Sequence, residues 1–165
     1  MAADDSELAK IRQIGSSFEA TITRSFDHEA ATVWAMLTDS AKLPLWLAPG
    51  ELALRKGGEA KLNFPESGIN VDSVITAIEP PRLIEYSWSS PGQPLRPLRW
   101  EISPASGGAQ LQLTLRIPEN EDIARTCAGW DAHLDMLAAA LEGVPIKFPF
   151  ERFKAAREAY KAVKI

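Results

Sequence analysis

The stretch Asp122–Leu141, DIARTCAGWDAHLDMLAAAL, decides the fold of this 165-residue chain. Ile123, Cys127, Trp130, Leu134, Leu137 and Leu141 recur at steps of three and four, which places them on one face of an α-helix. A face that broad and apolar needs a partner. The segments before it alternate in the manner of strands and are broken by Gly and Pro, so the partner is a sheet. A sheet that grips one long helix often encloses a cavity.

Six strands are predicted upstream of the helix, at about 51–55, 59–64, 70–79, 82–89, 97–103 and 109–117. Ile84, Tyr86 and Trp88 share one face. Leu98, Trp100 and Ile102 oppose Arg99 and Glu101, and Leu111, Leu113, Leu115 and Ile117 oppose Gln110, Gln112, Thr114 and Arg116. Gly57-Gly58 reads as a tight hairpin turn. Pro65-Glu-Ser-Gly68, Pro80-Pro81, Ser90-Pro-Gly92 and Gly107-Gly108 mark the other reversals. Connections this short require antiparallel pairing, and one apolar face beside one polar face means that one side of the sheet is covered.

Nearer the N-terminus, Phe18, Ala20, Ile22 and Phe26 alternate with Glu19, Thr21, Thr23 and Ser25 as a seventh strand. Asp27 reads as the N-cap of a helix that carries Ala30, Val33, Trp34 and Leu37 on one face and stops near Asp39. Ser40 can cap a second short helix, Lys42 to Leu47, which Pro49-Gly50 ends. Residues 1–17 form a polar extension with weak helical spacing at Leu8, Ile11 and Ile14. One domain spans 18–143, and 144–165 is a helical extension. In that extension a helix from Glu151 to Lys164 puts Phe153, Arg157, Tyr160 and Lys164 on one side. Phe148, Phe150, Phe153 and Tyr160 exceed what a free tail displays, so the tail folds back or buries against a second copy in a homodimer.

With 45% hydrophobic and 24% charged residues, the composition is that of an ordinary globular protein with one core. A net charge of −4 argues against nucleic acid and against anionic membranes as partners. The start, Met1-Ala-Ala-Asp-Asp-Ser-Glu, is acidic and polar, unlike a signal peptide, and no apolar run reaches the roughly 18 residues of a membrane span. A single cysteine rules out an internal disulfide and is compatible with a reducing cytoplasm, the expected location. Two histidines and one cysteine cannot assemble an ordinary zinc site without carboxylates, so neither metal nor cofactor is expected.

Several pieces carry a family resemblance. Val33-Trp34-Ala-Met-Leu37-Thr38-Asp39 with Leu43-Pro-Leu-Trp46 resembles the first-helix pair of the START-like (SRPBCC) superfamily. Gly57-Gly58, the stretch Ile78-Glu79-Pro80-Pro81-Arg82-Leu83-Ile84-Glu85-Tyr86-Ser87-Trp88, and Gly129-Trp130 with His133-Leu134 and Leu137 are similar to its branch related to the activator of the Hsp90 ATPase. The resemblance implies an α+β helix-grip fold: a curved seven-stranded antiparallel sheet wrapped on the long helix, with two short helices at one end. It implies that Trp34 and Trp46 pack those short helices under the sheet. It also gives Gly129 a reason, close approach of the helix to sheet or ligand, to offset the roughly 1 kcal/mol that Gly costs in a helix.

The cavity candidates are Trp46, Phe64, Ser73, Tyr86, Trp88, Trp100, Cys127, Trp130, His133 and Leu134. The aromatic members line an apolar pocket or simply pack a core. His133 is a ligand contact or proton donor, or else a surface histidine at the sheet margin. Cys127 lies on the buried face and reads as a small hydrophobe rather than a nucleophile. Asp131 and Asp135 read as a solvated face, Ser73 and Thr126 as hydroxyls of core or surface, and His28 as exposed beside Asp27. No catalytic constellation stands out. The resemblance covers binders, enzymes and co-chaperones alike; with no evident acid–base pair in the sequence, the expected role is non-enzymatic binding of a small hydrophobic molecule. The alternatives are a co-chaperone-like module with an Hsp90-type partner and a polyketide cyclase-like enzyme.

Overall fold

The computed structural model describes residues 8–65 and 67–163. Along the chain these form β1 (Lys10–Ile14), β2 (Ser17–Phe26), α1 (Ala30–Thr38), a 3-10 turn at Leu43–Leu45, β3 (Gly50–Leu52), β4 (Glu59–Phe64), β5 (Ile69–Glu79), β6 (Leu83–Ser87), β7 (Pro97–Ala105), β8 (Gly108–Pro118), α2 (Ile123–Leu141) and α3 (Phe150–Lys161). All eight strands lie in one open antiparallel sheet of order β1-β2-β8-β7-β6-β5-β4-β3.

The alternation seen in the sequence becomes rows of side chains across this sheet. Ile84 faces Trp100, Trp100 faces Leu113, and Leu113 faces Ile22. Beside it runs a second row, Ile75–Tyr86–Leu98–Leu115–Ala20. Every member of both rows is buried. They share one core with Cys127, Trp130, Leu134, Leu137 and Leu141 of α2. At the Gly57-Gly58 reversal between β3 and β4, Gly57 takes φ +80°. A Cβ on Gly58 would stand 2.2 Å from the Ala53 carbonyl oxygen, so the turn admits no side chain there.

Five expectations need correction. The sheet has eight strands rather than seven, because the segment with helical spacing at Ile11 and Ile14 is β1. It turns at Gly15 (φ +59°) and pairs Lys10–Ile14 with β2, whose outer edge would otherwise expose unpaired backbone groups. Asp27 does not cap α1. β2 runs to Phe26, residues 27–29 leave the sheet, and Glu29 takes the N-cap position without a side-chain hydrogen bond. The second short helix shrinks to the 3-10 turn, with Pro44 at its start. Gly129 makes no close approach: a Cβ there would meet nothing within 4 Å. α3 ends at Lys161, and Lys164 lies outside the described residues.

The tail folds back on the domain. Ala156 and Tyr160 of α3 are buried, and Arg152 pairs with Asp135 of α2 at 3.1 Å. At the C-terminal end of α2, Glu142 hydrogen-bonds His28, which is therefore held rather than freely exposed. Asp122 caps the start of α2 by accepting from the Arg125 N–H at 3.1 Å.

Candidate functional site

Between α2 and the sheet the aromatic side chains form one continuous chain of ring contacts. Trp46, fully buried after the 3-10 turn, donates its indole N–H to the Met36 carbonyl (2.7 Å) and meets Trp100 edge-on at 5.7 Å. Trp100 of β7 meets Trp130 of α2 at 5.8 Å, and Trp130 meets Trp88 at 4.9 Å. Phe64, at the end of β4, lies 5.7 Å from Trp88 and 6.1 Å from His133. His133 closes the circuit on Trp130 at 6.0 Å. Edge-to-face contacts at such separations suit the ring quadrupoles and add to plain burial.

Six of the ten sequence candidates thus meet: Trp46, Phe64, Trp88, Trp100, Trp130 and His133. Cys127 and Leu134 are buried in the same core on α2. Tyr86 is buried, and its phenol is held above its ordinary pKa by that burial, against a hydrogen bond with Trp100. Ser73 is spent elsewhere, donating to the Ser87 carbonyl across the β5–β6 pair at 2.7 Å. Thr126 likewise donates to Glu121 at 2.7 Å. Two open depressions, of about 220 and 440 Å3, lie apart from this cluster, one near Thr38 and Glu51 and the other along β1 and β2; none of the ten residues lines either.

His133 carries the polar chemistry of the cluster. Its Nδ1 lies 2.9 Å from the Trp46 carbonyl oxygen. A carbonyl only accepts, so Nδ1 bears the proton and Nε2 of the neutral ring keeps its lone pair. Burial lowers the pKa of the imidazole, and the Trp46 carbonyl opposes this only in part. The ring is therefore neutral at pH 7, and it is not the surface histidine that its place at the face border suggested. The Cys127 thiol is pushed up to about 12 by burial, with the charges of Asp131 and Glu121 adding to the effect. That shift favours the protonated thiol near neutrality over the thiolate. Among the described residues no group of three His, Cys, Asp or Glu side chains could hold a metal ion.

Two features escaped sequence reasoning. Asp131 is fully buried rather than solvated, and it pairs with Arg24 of β2 at 2.6 Å. Burial raises its carboxyl above the usual range, while the Tyr160 hydroxyl and the charges of Arg24 and Arg152 act the other way. The Tyr160 hydroxyl also accepts from the Ala9 N–H at 2.7 Å, so one polar network joins both ends of the chain to α2. The signal was present: Arg24 occupies an inward position of the Phe18–Ala20–Ile22–Arg24–Phe26 alternation, where an arginine needs a buried acid. The second feature is Phe148, whose ring lies 5.5 Å from His133 and extends the aromatic chain to Phe150 (4.9 Å) and Phe153 (5.6 Å).

An open antiparallel sheet with a long helix packed on it after the last strand is the architecture of a START-like protein. Within that superfamily the chain belongs to the family of activator of Hsp90 ATPase homolog 1-like proteins, whose model matches residues 27–142. Among solved structures it is similar to CalU16 from Micromonospora echinospora, at 24% identity and a TM-score of 0.75 over 93% of this chain and 94% of that one. It is also similar to EF2215 from Enterococcus faecalis, a conserved protein of unknown function, at 17% identity and a TM-score of 0.72 over 95% and 92%. DynU16, from the dynemicin biosynthetic locus, matches at 22% identity and a TM-score of 0.70, over 77% of this chain and 48% of that one. No curated protein matches the sequence. No helix among the described residues is long and apolar enough to cross a membrane.

Proposed function

We propose that this protein binds a small apolar molecule between α2 and the sheet, in the helix-grip manner, and carries out no chemistry on it. The observation that carries this reading is the cluster of four tryptophans, Phe64 and His133 that joins α2 to the sheet. An apolar surface with one placed polar group is how small-molecule sites are built. One relative in the fold, DynU16, supports a small-molecule role by analogy, through its place in the dynemicin biosynthetic locus. A non-enzymatic role is favoured by the state of the candidate groups. The Cys127 thiol is protonated, and the hydrogen-bond partner of His133 is a backbone carbonyl rather than a carboxylate. Native mass spectrometry of gently purified protein tests the reading. A co-purifying molecule of defined mass that leaves on mild activation supports it. Bare protein, together with no stabilisation in a thermal-shift screen of neutral aromatic compounds, refutes it.

The family match favours a second reading, a surface that engages an Hsp90-type chaperone. Leu54, Ile69, Val74 and Leu95 are large apolar residues on the exterior that such a surface could use. A pull-down with the chaperone from the same cell decides it, and absence of a complex removes it.

A further inference from the structure

The connection between α2 and α3 is held by few backbone hydrogen bonds. Gly143 ends α2 at φ +79°, and Pro145 and Pro149 bracket the segment that follows. The backbone bonds near it are local: Val144 N–H to the Ala139 carbonyl and Phe150 N–H to the Phe148 carbonyl, both 3.0 Å. Among the described residues, Ile146, Lys147 and Phe148 donate no backbone hydrogen bond. What holds this segment is the half-buried Phe148 ring against His133, Phe150 and Phe153. Phe150 itself is 65% exposed. α3 is fastened to α2 independently, through Arg152–Asp135 and the buried Ala156 and Tyr160, so the connection can shift without undocking the helix.

His133 supplies the chemistry at the same place. Its Nδ1 is committed to the Trp46 carbonyl, while Nε2 has no hydrogen-bond partner among the described residues. An acceptor nitrogen set among the rings of Phe64, Trp130 and Phe148 matches an O–H donor carried on an aromatic ring. It repels a carboxylate, which has only lone pairs to offer.

Resting on the ligand-binding reading above, we propose that residues 144–149 form a strap over the aromatic site. Phe148 stands where a ligand's ring will sit, His133 Nε2 is the ligand's polar anchor, and the ligand class is a neutral phenol. Binding swings Phe148 out, replaces one ring by another, and gives Nε2, which is not sealed from solvent, the ligand O–H as its donor in place of water. The strap then slows entry, and the hydroxyl decides selectivity.

The probes are 2-naphthol and its methyl ether, which share the ring system and differ in the O–H. Binding is followed at pH 7.5 by fluorescence polarisation of the naphthalene, and association by stopped flow, for the parent protein, Phe148→Ala and His133→Phe. Expected is about tenfold preference of the parent for the naphthol, the worth of one net hydrogen bond. His133→Phe should bind both probes equally, and Phe148→Ala should speed association of both by about tenfold while keeping the preference. Phe148→Leu, expected to fall between, serves if the alanine variant does not fold. Equal affinity of the parent for both probes overturns the anchor. Unchanged association in the Phe148 variants overturns the strap while binding itself stands. No binding of either probe by any of the proteins overturns this proposal and the ligand-binding reading together.

Discussion

His133 shows how one side chain carries a measurable consequence of the packing around it. A histidine in the unfolded chain titrates near about 6.5. In the folded protein burial holds it lower. Above the unfolded value both states are neutral and the group contributes no pH dependence. Below it the unfolded chain takes up the proton first, so stability falls with pH and levels off once the folded imidazole is also charged. Urea midpoints at pH 7.5, 6 and 5 should therefore fall more steeply for the parent than for His133→Phe; identical slopes would mean that His133 is well solvated. Trp130 is the other residue to test, since it contacts Trp88, Trp100 and His133 at once. Trp130→Ala should destabilise the fold by about 3–5 kcal/mol, as large truncations in cores do. A denaturation midpoint equal to the parent's would place this ring outside the core.

α2 is the element on which the fold turns, and it carries two opposite predictions. Gly129 sits in its interior with open space where a Cβ would go. Gly129→Ala should therefore stabilise the protein by about 1 kcal/mol, from helix propensity alone. A loss of stability on chemical denaturation would mean that the position is crowded. Two residues on, Asp131 faces Arg24 in the interior. Asp131→Ala should cost about 3–5 kcal/mol because it strips a partner from a buried charge, and Arg24→Met with Asp131→Leu should recover most of that. Equal loss in the single and double variants would show that the pair is not what holds β2 to α2. The strands and α2 were legible in the sequence because their apolar periods are long and the Gly and Pro breaks are sharp. β1 was not: a five-residue edge strand has too few inward positions to separate a step of two from a step of three. The five aromatic members of the ring cluster were legible as cavity or core candidates, whereas His133, at the border of the α2 face, read as readily as a surface histidine. Phe148 was not tied to them, because nothing local in an irregular segment says which ring it will reach. Asp131 was misread because a carboxylate at a helix position looks solvated until its partner, distant in sequence, is placed beside it.

At the scale of the whole molecule, the ends of the chain are part of the structure that surrounds the site. β1 extends the sheet beside β2, and Ala9 hydrogen-bonds Tyr160 of α3. Tyr160 in turn reaches the Asp131–Arg24 pair between α2 and β2. α3 packs on α2, and the aromatic cluster runs between helix and sheet from Trp46 to Phe148. The central claim is that a small aromatic molecule enters this cluster. The five tryptophans offer the most direct test, since each indole N–H gives its own signal in a 15N-labelled protein and each can be assigned by substitution. On titration with 2-naphthol, the signals of Trp88, Trp100 and Trp130 should shift together and saturate, while that of Trp34, outside the ring cluster, stays in place. Five unmoved indole signals at millimolar naphthol, or a shift confined to Trp34, would contradict the claim.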